Sequence, residues 1–158
     1  MHRILASFTH RVASLRPAAA AWGRLHAWVL RRSGGRVGGR WFGAPVLVLV
    51  TVGRRTGRVR ETPLLYVEVE DAGAGAGALA LLAANAGNDR PPAWWLNLRA
   101  AETVEVLVRG RCRRMRWREA EGEEREALMA AFVRGYPAAG HYAELTDRVL
   151  PVVVLVPA

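Results

Sequence analysis

The chain has 158 residues, of which 51% are hydrophobic, so it can bury one core and is not a disordered chain. All 23 basic residues are arginine, and the formal net charge is +9 at pH 7. Cys112 is the single cysteine, which excludes an internal disulfide and a multi-cysteine metal centre, and we expect no metal site.

The charge is divided unevenly along the chain. Residues 1–60 contain 12 arginines and no acidic residue, whereas the remainder contains 11 arginines and 14 acids. A GC-rich genome would explain the use of arginine alone, but it would not explain this division. The division indicates an anionic partner, which could be a polyanionic cofactor, an acidic membrane surface or nucleic acid.

The first predicted element is a helix over residues 17–32, which the pair Gly34-Gly35 ends. Its large apolar side chains lie on one face: Trp22, Leu25, Trp28 and Val29. This pattern predicts that the helix packs on the domain, and the alternative is a basic amphipathic helix that rests on anionic lipid. The apolar run at residues 44–52 is too short to span a bilayer. We therefore expect a cytoplasmic protein, with peripheral attachment to the inner face of the membrane as the alternative.

The remaining pattern is mostly that of β-strands joined in hairpins. It predicts a small antiparallel barrel with packed helices, an α+β fold that is mainly β. We expect residues 1–34 to form a basic helical extension and residues 35–158 to form the barrel domain. Strands are predicted at 46–52, 58–68, 79–84, 103–108, 111–119 and 152–156; helices at 92–100 and 121–136, with a short helical piece to 148 and a flexible glycine connector at 71–77. The helix at 121–136 is expected to bury Leu128, Met129, Phe132, Val133 and Tyr136.

The first hairpin concentrates arginines at its turn. Arg54 and Arg55 lie in the turn, and Arg58 and Arg60 are two residues apart, so they project from one face of the return strand. Thr56 adds a hydroxyl, and the glycines at 53 and 57 allow backbone amides to approach an anion. This spacing predicts a cradle for a phosphate or a string of carboxylates; the alternative is a solvated charged hairpin.

Two further segments favour a ligand. Residues 85–88 can form a turn with available amides before a helix whose N-terminus attracts anions, and Trp94 or Trp95 is expected to line a pocket while the other packs inside. Pro63 interrupts strand pairing, which predicts an edge or a ligand-facing stretch. Tyr136 and Tyr142 would cover such a pocket or, alternatively, pack at helix ends. Because few nucleophiles or acid–base groups are present, a bound cofactor is expected to supply the chemistry.

The combination of these segments resembles the deazaflavin (coenzyme F420)-dependent nitroreductases, which are the F420H2-dependent quinone reductases of actinobacteria. The resemblance rests on Gly53-Arg-Arg-Thr-Gly57 with Arg60 and Thr62-Pro63-Leu64, on Ala83-Ala-Asn85 with Arg90, on Pro92-Ala-Trp-Trp-Leu-Asn-Leu98, on Tyr136-Pro137, and on Thr146-Asp-Arg148 with Pro151–Val154. It implies a split β-barrel of the flavin-reductase and pyridoxamine-phosphate-oxidase type, with about six antiparallel strands.

The resemblance also implies coenzyme F420 as cofactor and hydride transfer to a quinone, a nitro compound or another electron-poor small molecule. The implied cofactor residues are Arg54, Arg55, Thr56 and Arg60 for the phosphate and polyglutamate tail, Thr62, Pro63, Leu64 and Leu65 along the ring, Ala83, Ala84, Asn85 and Ala86 through backbone groups, Arg90, and Ala93 and Trp94 closing the ring pocket. Tyr136 and Tyr142 are the expected catalytic residues, with Tyr142 or water as proton donor.

Two positions differ from the family's well-studied nitroreductase. Asn85 stands in place of a lysine, and Ala139 in place of a tyrosine that is implicated in substrate handling. We therefore expect the cofactor site to be kept and the acceptor site to be changed. The alternatives are an FMN- or haem-binding split barrel, and a non-catalytic binder of anionic lipid or nucleic acid. We expect a small-molecule acceptor, no nucleic-acid partner, a monomer or a homodimer, and contact of the first helix with a membrane surface as the open alternative.

Overall fold

The computed structural model describes residues 16–33, 38–41, 43–70 and 75–158, with side chains in the first helix described from residue 25 onward. The expectations that fall on residues 1–15, on the Gly34-Gly35 stop, on Trp22 and on most of the glycine connector lie outside the described part. The helices are α1 Arg16–Ser33, α2 Ala93–Leu98 and α3 Gly122–Gly135, and the strands are β1 Arg40–Trp41, β2 Ala44–Val52, β3 Val59–Glu68, β4 Leu79–Leu82, β5 Thr103–Val108, β6 Arg111–Glu119 and β7 Val152–Pro157.

Six strands form a closed antiparallel barrel, in the order β2-β3-β4-β7-β6-β5, and the short β1 is added at the edge of β2. Pairing between β2 and β5 closes the barrel, with Val48 opposite Leu107 and Val50 opposite Glu105. The predicted antiparallel barrel with packed helices is therefore confirmed. All six predicted strands are present, with boundaries that differ by at most two residues.

The barrel opens along one side of β3. This strand pairs with β2 from Val59 to Leu65, whereas its pairing with β4 begins only at Tyr66 and runs to Glu68. After β4, the chain continues along β7 and not along β3. The amide of Ala83 donates to the carbonyl of Pro151, just before β7, at 2.9 Å. The first half of β3 therefore has an edge that β4 does not cover, and the predicted third strand is two residues too long.

Each helix has a different place on the barrel. The barrel interior contains alternate residues of β2, β4, β5, β6 and β7, and α2 closes it by inserting Trp94, Trp95 and Leu98. The helix α3 covers the outer faces of β3, β4 and β7 through Leu128 and Phe132. The helix α1 covers β2, β3 and β5 through Ala27 and Leu30. Burial of apolar surface thus fixes all three helices on the strands.

The predicted buried face of α1 is wrong at Leu25 and Trp28, while Val29 is half-buried. Leu25 and Trp28 are 54% and 60% exposed, while His26, Ala27 and Leu30 are buried. The His26 ring stacks on Trp41 at 4.7 Å, so the side of α1 that carries His26, Ala27 and Leu30 faces the domain. In α3, Leu128 and Phe132 are buried as expected, but Val133 is 37% exposed. Within the described residues, no helix combines the length and apolar character that crossing a bilayer requires.

Candidate functional site

The turn between β2 and β3, residues 53–58, has a fixed backbone that depends on its glycines. The amides of Thr56 and Gly57 donate to the carbonyl of Gly53 at 3.0 and 2.8 Å, and the amide of Gly53 donates to Arg58 at 2.8 Å. Gly57 has a φ of 64°, which disfavours any residue with a Cβ. A Cβ at Gly53 would lie 2.8 Å from Oγ1 of Thr56. We call residues 53–60 the arginine turn.

The arginine turn carries positive charge that no acid among the described residues neutralises. Arg54, Arg55, Arg58 and Arg60 are exposed, and no salt bridge between described residues involves them. The nearest acid in sequence, Glu61, forms an ion pair with Arg31 of α1. Several guanidinium groups close together without acids repel one another, so this arrangement favours a bound polyanion.

Asn97 anchors the arginine turn to α2, and the sequence analysis did not identify this role. Its side chain is 7% exposed. Its Oδ1 accepts a hydrogen bond from the amide of Arg54 at 3.2 Å and lies 3.5 Å from Nη1 of the same residue. Its Nδ2 donates to Oγ1 of Thr51 at 3.4 Å. The sequence did contain one indication of this role, which is that Asn97 is a polar residue in a short apolar helix.

Residues Thr62–Leu65 occupy the part of β3 that β4 leaves uncovered. Thr62, Leu64 and Leu65 are half-buried and Pro63 is buried, so the stretch is neither a solvated strand nor a closed core strand. Pro63 cannot donate a backbone hydrogen bond, and its position where pairing is one-sided agrees with the predicted edge. A flat ring can contact this edge without breaking a sheet hydrogen bond.

The loop at residues 83–90 runs beside this opening and has an uncommon backbone. Asn85, Ala86 and Gly87 have φ values of 50°, 51° and 75°, so three consecutive residues are left-handed. Side chains hold the loop from within: Nδ2 of Asn85 donates to the carbonyl of Arg90 at 2.9 Å, and Nδ2 of Asn88 donates to the carbonyl of Asn85 at 2.7 Å. The side-chain amide of Asn85 therefore forms its hydrogen bond within the loop. The resembled nitroreductase has a lysine at this position.

The helix α2 brings the loop and the arginine turn together. It begins at Ala93, directly after the loop, and Asn97 contacts Arg54. Four residues of helix rise by about 6 Å. The predicted residues of the loop, of α2 and of the arginine turn therefore lie in one region of the molecule. Arg90 and Ala93 are exposed there.

The two tryptophans of α2 do not divide as expected between a pocket and the core. Trp94 and Trp95 are 6% and 4% exposed and belong to the same buried cluster, with ring centroids 6.4 Å apart. Trp95 also meets Trp117 edge to face at 5.5 Å. Both rings therefore help to close the barrel, and a role for Trp94 in the ring pocket stays a prediction.

Tyr136 and Tyr142 form a buried pair next to the loop. They are 4% and 7% exposed, and their hydroxyl oxygens are 3.2 Å apart. They share a cluster with Ala84 and Ala139, and the carbonyl of Tyr142 lies 2.9 Å from where a Cβ of Gly87 would be. The predicted tyrosines are thus brought together beside the loop, with Ala139 buried in the same cluster.

Two concavities lie away from these residues. A cavity of about 120 Å³ lies between α1 and the barrel, lined by Leu30, Arg40, Tyr66 and Arg109 among others. A shallower one is bordered by Arg99, Arg116 and Trp117. Neither includes the arginine turn or the loop. The donor groups at the predicted site, which are exposed arginines and an uncovered strand edge, nevertheless fit a long anion that carries a flat ring.

Comparisons with known proteins point to one family. The family model described as F420H(2)-dependent quinone reductase matches residues 22–157. An F420H(2)-dependent quinone reductase of Mycobacterium tuberculosis and a putative one of Mycobacterium bovis are each 38% identical over 86 residues, which is 54% of this chain and 54% of theirs. The chain therefore matches about half the length of these curated relatives.

Solved structures agree with this match. A structure described as an F420-H2 dependent reductase is 33% identical, with a TM-score of 0.60, over 70% of this chain and 93% of that chain. Another, described as a domain-swapped dimer, is 30% identical with a TM-score of 0.63, over 85% of this chain and 97% of that chain.

Proposed function

The chain belongs to the F420H(2)-dependent quinone reductase family, and from that premise we propose that it transfers a hydride from reduced coenzyme F420 to a quinone or another electron-poor small molecule. The observation that carries the proposal is the arginine turn, whose guanidinium groups form no salt bridge within the described part of the chain and adjoin the edge of β3 that β4 leaves uncovered. The family match favours the deazaflavin over the FMN and haem alternatives.

The chain's own groups suit the parts of this cofactor. Arg54, Arg55 and Arg60, with the hydroxyl of Thr56, would bind the phosphate and the polyglutamate tail, because guanidinium groups bind both anions in a forked geometry. The edge at Thr62–Leu65 would flank the ring. Backbone groups of Ala83–Ala86 would bind the tail and the ring edge.

The bound cofactor supplies a hydride, and the protein supplies position and exclusion of water. The buried tyrosine pair provides hydroxyl groups beside the loop, so we propose that Tyr142, with Tyr136 as its hydrogen-bond partner, donates a proton to the reduced acceptor. A Tyr142→Phe variant should then bind coenzyme F420 with unchanged affinity and have a lower kcat. Unchanged turnover would leave water as the proton donor.

The direct test is a titration of coenzyme F420 with protein, followed by its fluorescence, and then a spectrophotometric assay of F420H2 oxidation. Acceptors should include quinones, nitroaromatics and unsaturated ketones, because Ala139 replaces the tyrosine of the resembled nitroreductase. We expect saturable binding at micromolar protein and oxidation that depends on a quinone. No saturable binding would refute the proposal.

A non-catalytic binder of anionic lipid or nucleic acid makes a different prediction. Its binding would survive changes at Trp94 and would be lost without residues 1–40. We further propose a homodimer, since a relative of similar fold is described as a domain-swapped dimer, and light scattering during gel filtration would test it. A cytoplasmic location and contact of α1 with a membrane surface stay predictions, which fractionation of cells would test.

A further inference from the structure

Arg148 is a cation whose hydrogen bonds go to backbone rather than to an acid. Its Nε donates to the carbonyl of Asn88 at 2.9 Å, its Nη1 to the carbonyl of Ala83 at 3.0 Å, and its Nη2 to the carbonyl of Ala84. A guanidinium group has five N–H donors in a fixed plane. Three nitrogens of Arg148 are thus engaged by one loop, which distinguishes it from the exposed arginines of the arginine turn.

The loop that Arg148 holds would not keep its shape unaided. Asn85 and Ala86 are left-handed without being glycine, a conformation that asparagine tolerates and that alanine rarely adopts because its Cβ crowds the following carbonyl oxygen. Backbone strain of this kind persists only where the surrounding structure holds it. The Arg148 bonds are placed on both sides of the strained residues, at Ala83 and Ala84 before them and at Asn88 after them.

The neighbouring residues make Arg148 part of a wider brace. Oγ1 of Thr146 donates to Asp89 at 2.9 Å, and Gly87 packs against Tyr142 and Leu145 so closely that a Cβ would lie 2.8 Å from Cβ of Leu145. Burial lowers the pKa of Arg148 from its usual value, and Asp89 opposes this shift. The guanidinium is therefore partly desolvated and held by dipoles of the loop.

We propose that Arg148 is a positioning residue, which pre-forms the loop at residues 83–90 so that its backbone groups receive the deazaflavin without reorganisation. The inference rests on the proposed function, because it assigns the loop to the cofactor. A loop that is ordered before binding does not have to lose conformational freedom when the ligand arrives. Arg148 would then raise affinity without touching the cofactor.

The test compares Arg148→Ala and Arg148→Lys with the control Arg134→Ala, since Arg134 is exposed on α3. Hydrogen–deuterium exchange of residues 83–90 is measured first without cofactor. We expect exchange at least 10-fold faster in Arg148→Ala, which the loss of even one of its three charged hydrogen bonds would produce, and unchanged exchange in the barrel strands. Lysine should restore only part of the protection, because one nitrogen cannot reach three carbonyls.

The second readout is affinity for coenzyme F420. We expect its dissociation constant and KM to rise about 10-fold in Arg148→Ala with little change in kcat, and added methylguanidinium to restore both exchange protection and affinity. Faster exchange with unchanged affinity would overturn the proposal, because Arg148 would then be only structural. Unchanged exchange would overturn it as well.

The two failures can be told apart. If the unaltered protein does not bind coenzyme F420, the proposed function fails and the assignment of the loop to the cofactor fails with it. If the unaltered protein binds coenzyme F420, and the Arg148 variants show the same exchange and the same affinity as the control Arg134→Ala, the proposed function stands. The positioning role of Arg148 is then refuted. Should Arg148→Ala not fold, Arg148→Lys carries the same comparisons.

Discussion

Replacing Asn97 with leucine tests whether the arginine turn is held from α2. The substitution keeps the approximate size of the side chain and removes every polar atom. It deletes the 3.2 Å bond from the amide of Arg54 and the 3.4 Å bond to Thr51. The apolar packing of α2 in the barrel should be retained, so the effect should come from the hydrogen bonds alone.

The magnitude follows from these contacts. The bond to Arg54 should contribute about 1 kcal/mol, and the longer bond to Thr51 about half as much. Thr51 is 3% exposed, so its abandoned hydroxyl adds a further cost of about 1 kcal/mol. The expected loss is thus about 2.5 kcal/mol, which for a domain of this size lowers the melting temperature by about 7 °C.

The assay is thermal unfolding of Asn97→Leu, of Thr51→Val and of the double variant. Thr51→Val removes only the longer bond, so it should lower the melting temperature much less. The two sites should couple by about 0.5 kcal/mol or more, because they are in contact. A loss below 2 °C in Asn97→Leu, or a loss equal to that of Thr51→Val, would refute the idea that Asn97 anchors the turn.

Two further predictions concern the loop and α1. Gly87→Ala should destabilise the fold more than Gly43→Ala in chemical denaturation. Both glycines have a positive φ, but of the two only Gly87 would bring an added Cβ against neighbouring atoms. Equal losses in the free energy of unfolding would contradict this. Burial lowers the pKa of His26 below its usual 6.5. As pH falls, the unfolded chain therefore binds a proton at His26 before the folded protein does. The stability that this histidine contributes above pH 6.5 should then be lost as the pH falls through the lower pKa of the folded state. Melting curves between pH 7 and 5 should show this decrease, and a His26→Gln variant with an equally steep decrease would contradict it.

The barrel could be predicted because its information is local. The β-branched run of β2, the hairpin spacings and the proline in β3 each specify structure within a few neighbouring residues. The same holds for the arginine turn, whose glycines and guanidinium groups are adjacent in sequence. The family resemblance, which the family match confirms, depended on such local segments.

The errors arose where distant contacts decide. His26 is buried because it packs on Trp41 and Nε2 lies 2.9 Å from the carbonyl of Gly38, and a helical pattern of apolar residues does not contain that information. Asn97 and Arg148 act on backbone groups more than 40 residues away. Most of their partners are backbone carbonyls and amides, which every residue carries, so the sequence could mark Asn97 as a polar residue in an apolar helix but could not show what it binds.

The most direct measurement of the central claim is the affinity of coenzyme F420 for the unaltered protein, for Arg55→Ala/Arg60→Ala and for the control Arg134→Ala, each at low and at high salt. If the arginine turn binds the anionic tail, the double variant should bind about 100-fold more weakly at low salt, which corresponds to two lost charge-assisted hydrogen bonds. Its affinity should also respond less to salt, because fewer charges remain to be screened. Equal affinity and equal salt dependence in all three proteins would contradict the account.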